Sequence, residues 1–303
     1  MSLEEDGIPA IAVHTNLFHR LAKATAAVEV DGEVRDLRLP LPDGAHVRIL
    51  RVGDEEALPI LRHSTAHVLA EAARHVFPGV KISIGPAIDN GFYYDFEFPE
   101  QIGEADLARI EDEMRRILKQ KHAFTRETTD RDTIRARFVE EAEPYKVELI
   151  DDLPADEPLT VYTQDDFTDL CRGPHLQDTA PIKAFKLTHL AGAYWRGDST
   201  RTMLTRVYGT AFFTQDELDQ HLRNIEEAQK RDHRRLGREL DLFSFNDASP
   251  GAPFWHPKGM ILWNTLVDMW RGENRARGYQ EVKTPILYAS DLWKTSGHWD
   301  KFR

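Results

Sequence analysis

Two short motifs, far apart in the chain, constrain its fold more than any other feature. HSTAH at 63–67 sets His63 and His67 four residues apart, and DLCRGPHL at 169–176 does the same for Cys171 and His175. Four residues is just over one helical turn, so the first pair projects from one face of a helix. Three imidazoles and a thiol make a sound tetrahedral zinc set. Gly173-Pro174 would bend the second pair so that both side chains converge. A fold that joins the motifs must carry the chain back across everything between them. Each half alone is a weak signal, because a lone HxxxH is more often structural and a single cysteine is usually core. Position 64 is serine, so the glutamate base of an HExxH metalloprotease is missing and that chemistry is set aside.

Around these motifs the hydrophobic pattern changes period several times. NLFHRLAKAT reads as helical, with Leu17, Leu21 and Ala24 at helical spacing. AVEVDGEVRDL (27–37) reads as strand, Asp31-Gly32 turn, strand, and Pro42-Asp43-Gly44 precedes a further alternating run, AHVRIL. The stretch GDEEALPI leads into a helix carrying HSTAH, with Pro78-Gly79 to stop it. VKISIG (80–85) and GFYYDFEFP (91–99) read as strands separated by GPAIDN, and residues 105–120 as an amphipathic helix through Leu107, Ile110, Met114 and Leu118. DDLPADEP (151–158) is loop-like, and mixed short strands are expected up to about 213. From Thr214, with Glu217 completing a capping box, Leu218, Leu222, Ile225, Leu236 and Leu240 read as one long charged helix, a bridge between domains. The block 259–288 reads as a long helix, a Gly278 stop, and a strand closing at Pro285.

The length of 303 residues suits two or three domains, and 41% apolar with 30% charged residues reads as soluble and globular. No run approaches the roughly 18 apolar residues of a membrane span, and MSLEEDGIPA lacks a secretory signal. One cysteine excludes an internal disulfide and fits a reducing cytosol, so a cytoplasmic location is expected. A net charge of −12 argues against a nonspecific nucleic-acid binder. It leaves KRDHRR (230–235) and MRRILKQKHAFTR (114–126) as local basic runs, each read as a solvated helix face.

Other polar residues gather near the motifs. Lys146 lies in the apolar setting PYKVELI, where a lysine is open to desolvation and a lowered pKa. Asp169 stands two residues before Cys171, and Tyr94 with Asp95 ends the aromatic strand. His75, His122 and His221 have no such company and read as surface or packing residues. The Arg-Gly-Asp within AYWRGDST would need an extracellular protein to act in adhesion, which the cysteine count and N-terminus oppose.

Taken in order, RHSTAH, IGPAIDNGFYYDFEF, EPYKVELI, DLCRGPHL, AGAYWRGDS and RDHRRLGRELDLF resemble the bacterial threonyl-tRNA synthetase family. The stretch from GMILWNTLVDMW to SGHWDKF resembles the opening of that family's class II catalytic domain. The resemblance runs from about residue 20 to the end and implies an α+β multidomain fold. It divides into a β-grasp (TGS) module over 1–52, where only GIPAIAVHTN precedes the first helix and an incomplete sheet is expected; an editing domain over 53–213, shared with alanyl-tRNA synthetases; a linker helix over 214–240; and the start of the class II domain over 241–303. The last part includes motif 1 up to Pro285, which builds the family's dimer interface. The family charges tRNA(Thr) with threonine using ATP, Mg and a catalytic zinc. Its motifs 2 and 3 and zinc ligands lie further on than Arg303, so a partial sequence is expected that edits but does not activate threonine.

The resemblance also implies the editing chemistry. Serine differs from threonine by one methylene, worth only about 1–3 kcal/mol of discrimination, so a second site hydrolyses mischarged Ser-tRNA(Thr). By resemblance, His63 and Lys146 handle water activation and leaving-group protonation, while His67, Tyr94, Asp169, Cys171 and His175 shape the seryl pocket. His63, His67, Cys171 and His175 stay open as a zinc site, with a metal-free polar pocket preferred and no cofactor required for editing. A non-catalytic tRNA-binding or dimerising fragment is the alternative.

Overall fold

A computed structural model describes residues 24–301. The helix expected at NLFHRLAKAT and the segment GIPAIAVHTN fall almost wholly outside the described residues. Contacts divide the chain into two units, one ending at Arg223 and the other beginning at Asn224. Each is taken by itself.

The first unit opens with three antiparallel strands: β1 (Thr25–Val30), β2 (Glu33–Arg35) and β3 (Val47–Arg51), in the order β2-β1-β3. The β1–β2 hairpin turns at Asp31-Gly32, both with positive φ (51° and 87°), as an aspartate–glycine turn of the primed type requires. Helix α1 (Leu58–Val76) follows, with a proline in its first turn and Pro78-Gly79 directly after its end. Its inner face carries Leu61, Val68, Leu69 and alanines that are fully buried, and its small side chains let neighbouring elements approach closely.

Strands β4 (Lys81–Ile82), β5 (Ala87–Ile88) and β6 (Gly91–Glu97) come next, then the amphipathic helix α2 (Glu104–Leu118). Leu107, Ile110 and Met114 of α2 join Leu61, Leu69, Phe92 and Phe96 in the main core. After β7 (Thr125–Thr129) the chain forms helices α3 (Arg131–Glu140) and α4 (Pro144–Asp152), then β8 (Leu159–Gln164) and β9 (Phe167–Leu170). Strands β7, β8 and β9 make a small sheet in that order. Asp130 caps α3 by accepting from the amides of Asp132 and Thr133.

Where mixed short strands were expected, β10 (Ala184–Tyr194) and β11 (Met203–Phe212) form a long antiparallel ribbon. The local sequence alternates poorly because one end of β10 is buried and the other exposed. The ribbon joins a sheet of order β10-β11-β6-β4, with β5 paired to β6. Helix α1 and helix α2 pack on this sheet and on each other.

The single helix expected from Thr214 to Leu240 is two helices, α5 (Gln215–Lys230) and α6 (His233–Glu239). Asp232 ends the periodic run because its carboxylate accepts from the amides of Arg234 and Arg235, starting a new helix instead of continuing the old one. The expected capping box at the start of α5 is present, with Thr214 N donating to Glu217 at 2.9 Å and Glu217 N to Thr214 at 3.3 Å. The second unit continues with the short pair β12 (Phe243–Ser244) and β13 (Phe254–Trp255), then α7 (Pro257–Ala276), α8 (Ser290–Thr295) and α9 (His298–Lys301). Gly278 stops α7 region with φ of 82°. The strand expected to close at Pro285 is not formed: residues 279–289 carry no strand assignment, and a lone strand leaves its ladder groups unpaired. No helix of the described residues is long and apolar enough to cross a membrane.

Candidate functional site: a histidine–cysteine cluster beside a buried lysine–aspartate pair

Helix α1 projects His63 and His67 toward the segment that follows β9. There Gly173 adopts φ of 74°, and the Gly173–Pro174 bond is cis. A Cβ at Gly173 would stand 2.2 Å from the Tyr162 hydroxyl, so only glycine lets this segment pass so close to β8. The bend brings the second motif onto the first. Cys171 Sγ lies 3.4 Å from His63 Nε2 and 3.3 Å from His175 Nε2. The ring centroids of His63 and His67 stand 4.2 and 4.1 Å from that of His175.

A second group adjoins the first. Asp169 on β9 forms an ion pair with Lys146 of α4, both buried. The Tyr94 hydroxyl, from β6, donates to Asp169 Oδ2 at 2.5 Å and receives Lys146 Nζ at 3.1 Å. Tyr94 fits because position 85 is glycine; a Cβ there would fall 1.9 Å from its ring. His67 Nε2 lies 3.6 Å from Asp169 Oδ2, which links the two groups. All seven residues named for the editing pocket thus meet at one place, drawn from α1, β6, α4, β9 and the segment after it. Pro285 lies in the second unit.

The electrostatics follow from burial. Desolvation lowers the His63 and His175 imidazoles and brings His67 down to about 3. All three rings are therefore neutral at pH 7, able to accept a proton or hold a metal. Burial pushes the Cys171 thiol up to about 12 and the Tyr94 hydroxyl well above its usual 10. Burial alone would raise Asp169 too, but the Lys146 ammonium and the hydrogen bonds from Lys146 and Tyr94 outweigh it and hold the carboxyl below its ordinary value. Asp169 is the fixed negative charge of the site.

Several further residues support the cluster. Ser64 Oγ stands 3.1 Å from His175 Nδ1 and accepts the Leu176 amide at 3.0 Å. Phe124 stacks on the His175 ring at 5.0 Å and 11°. Asp36, immediately after β2 and buried, accepts the Tyr162 hydroxyl at 2.8 Å and the His175 amide at 3.5 Å. Arg38 pairs with Asp36 at 3.0 Å and reaches the carbonyls of Phe124 and Leu176 at 2.5 and 3.3 Å. Ser64 sits inside HSTAH, so the motif itself pointed there. Asp36 left no signal, because nothing local tells a strand-end aspartate that its partner is far along the chain.

As a metal centre the cluster is chemically coherent. His63, His67, Cys171 and His175 each offer a donor atom within 4.8 Å of the others. The buried Nδ1 of His67 has no protein hydrogen-bond partner, and Ser64 against His175 Nδ1 resembles the outer hydrogen bond of a ligating imidazole. One thiolate and three imidazoles suit zinc. A cavity of about 160 Å³ borders Cys171, walled by Leu149, Leu153, Leu159 and Leu170.

Residues 159–208 match the family of the Threonyl and Alanyl tRNA synthetase second additional domain. The match covers β8, β9, Asp169, Cys171, His175 and most of the β10–β11 ribbon. The chain is 48% identical over 299 residues to the threonine–tRNA ligase of Acetivibrio thermocellus, across 98% of this chain and 47% of the relative. It is 46% identical to that of Francisella philomiragia over 298 residues (98% and 47%), and 49% identical to that of Desulfosudis oleivorans over 283 residues (93% and 44%). The chain therefore spans about half the length of the curated relatives it matches. Over that span it is a homologue of the threonine–tRNA ligases, and it carries their editing-type second additional domain.

Proposed function

We propose that the cluster is a proofreading site that hydrolyses Ser-tRNA(Thr), within a chain whose full protein charges tRNA(Thr) with threonine at the expense of ATP. One observation carries the reading most: His63, His67, Tyr94 and Lys146, from three separate stretches, converge on Asp169, Cys171 and His175, inside the segment that matches the second additional domain.

Water attacks the carbonyl carbon of the seryl ester, a new C–O bond forms, and the bond to the terminal ribose oxygen breaks. His63 is neutral and half-buried, so it is the group that takes the proton of the attacking water. Lys146 delivers a proton toward the leaving ribose oxygen, and its ion pair with Asp169 holds it in position. Tyr94 holds both partners in place. Asp169 also provides the anion that faces the seryl amine, while His67, Cys171 and His175 set how much room is left beside it. A threonyl methyl would crowd that room, the kind of discrimination a second sieve adds.

The four donors would also hold zinc, which when bound polarises a carbonyl or lowers the pKa of a water. The hydrolysis described here runs on the chain's own residues and needs no metal. In the whole protein, ATP, magnesium and a catalytic zinc belong to the ligase reaction, the three-stranded sheet to a TGS module, and the region up to Pro285 to a dimer interface of the class II domain. Its place of work is the cytoplasm.

The test is release of serine from Ser-tRNA(Thr) against release of threonine from Thr-tRNA(Thr), with and without a strong chelator. Selective serine release that survives the chelator is expected. Release abolished by the chelator would make the cluster a zinc centre. No release in either condition would leave the domain as a tRNA-binding module and overturn the reading.

A further inference from the structure

The four-residue spacing on α1 does not end at His67. Glu71 and His75 continue it toward the helix C-terminus, where the β8–β9 turn presents Asp165 and Asp166. Glu71, His75 and Asp166 each place a donor atom within 4.8 Å of the other two.

Proximity of carboxylates at a surface means little, but the protein around these three is arranged as for an ion. His75 Nδ1 lies 2.7 Å from Glu113 Oε1 on α2. Glu113 is itself gripped by Arg116, whose Nε donates to Oε2 at 2.7 Å, so the carboxylate is fixed against the ring. The other ring nitrogen, Nε2, lies 3.3 Å from Asp166 Oδ1. That separation is about the edge length of a tetrahedron whose bonds are roughly 2.0–2.1 Å, the zinc–nitrogen and zinc–oxygen distances. Glu71 is fully buried; its Oε2 accepts the Gln164 amide at 3.0 Å, while its Oε1 has no protein partner, nor has the buried Oε1 of Gln164. Burying such oxygens without partners is costly. Arg74 also reaches Asp166 Oδ1 at 3.0 Å, so an ion would share that carboxylate with the guanidinium.

We propose that Glu71, His75 and Asp166 form a binding site for a divalent transition-metal ion of the zinc class, with Glu113 as the carboxylate that orients His75. One imidazole and two carboxylates favour zinc, cobalt or nickel over calcium, with water filling the remaining position. The site is separate from the Cys171 cluster and does not depend on its chemistry. It joins the end of α1 to the hairpin whose second strand carries Asp169, so an ion there pins the helix with His63 and His67 to the strand that faces them.

The test is titration of the whole chain with cobalt(II) alone, followed by its visible spectrum. Cobalt at the Cys171 cluster gives a thiolate-to-metal charge-transfer band; cobalt at Glu71, His75 and Asp166 gives ligand-field bands without it. The expected result is a cobalt-binding phase with no thiolate band, weakened at least tenfold by His75→Ala or Asp166→Asn. Glu113→Gln, which removes no ligand, should weaken it by about 10–100-fold. Asp166 sits on an exposed turn, so its variant folds even if His75→Ala does not. Binding that shows only the thiolate band, or a second phase indifferent to all three substitutions, would overturn the proposal and leave the buried oxygens to water.

Discussion

The Asp36 carboxylate accepts the Tyr162 hydroxyl at 2.8 Å, a bond that ties the small N-terminal sheet to the wall of the histidine cluster. Tyr162 in turn lies against the His175 ring, with centroids 4.5 Å apart, and fills the space a side chain at position 173 would need. The sheet β2-β1-β3 is therefore part of what holds the Cys171–His175 segment.

Asp36→Ala should consequently lower the rate of Ser-tRNA(Thr) hydrolysis by on the order of 10- to 100-fold, through misplacement of His175. Loss of the buried partners of Tyr162 and Arg38 should also cost about 1–3 kcal/mol of stability. Steady-state kinetics and thermal melting check both, and Asp36→Asn, which still accepts the Tyr162 hydroxyl, should recover most of the rate. An unchanged kcat in a folded Asp36→Ala protein would remove Asp36 from the site.

Lys146 and Asp169 are a buried pair, so removing one member should hurt more than removing both. Lys146→Met should destabilise the first unit by about 3–5 kcal/mol, because it strands the Asp169 charge in the interior. Adding Asp169→Asn should restore a large part of that loss while leaving hydrolysis abolished. Denaturant melts of the two single variants and the double variant measure the coupling directly. Additive losses would mean that the pair is not energetically coupled.

Acidification should weaken the fold through His67. Its pKa is near 6.5 when unfolded and about 3 in the native cluster, where desolvation disfavours the charged ring. Between those values the unfolded chain binds a proton that the native chain refuses, so stability falls as pH drops from about 6.5 toward 3, by about 1.4 kcal/mol per pH unit for one such group. Glu71 and Glu143, both raised by burial to about 7, act in the opposite sense between about 7 and their ordinary 4.5. His67→Gln should leave those two unchanged and flatten the acid limb by one proton. Chemical denaturation across this pH range gives the slopes, and parallel slopes for wild type and variant would refute the assignment.

In the second unit, α7 exposes Ile261, Leu262, Leu266, Met269 and Trp270, with Trp270 61% accessible. An apolar stripe of this size is not usual on an isolated surface. Self-association through this helix is expected in solution, and Leu266→Asp with Met269→Lys should reduce it. Light scattering across a concentration series decides; a monodisperse wild-type monomer would count against it.

The site was largely legible in the sequence because its residues lie in compact motifs whose chemistry is unusual for a core. HSTAH and CRGPH stand out by their ligand-type side chains, and Lys146 as a lysine in apolar company. What the sequence hid was support that acts through distance, such as Asp36 behind Tyr162 and Phe124 on His175. Secondary structure showed the same division. The hairpin at Asp31-Gly32 and helix α2 announce themselves by turn chemistry and period. The break at Asp232 and the long β10–β11 ribbon do not, since an aspartate within a charged run looks like another solvated residue, and a strand that leaves the core halfway loses its alternation. The strand before Pro285 failed for a different reason: its pattern was right, but a strand exists only with a neighbour.

Because the bond from Asp36 closes onto His175, the cluster has an order of assembly as well as a shape. Each motif is local but their meeting is not, and the loop that must close spans β3, α1, α2, the β7-β8-β9 sheet and everything between. Contacts of that reach form after nearby ones and raise the time spent searching. During synthesis, the helix with His63 and His67 leaves the ribosome long before the strand with Asp169. The cluster is thus among the last features of the first unit to exist, and a nick anywhere between residues 36 and 175 would sever covalent continuity between Asp36 and the segment it holds.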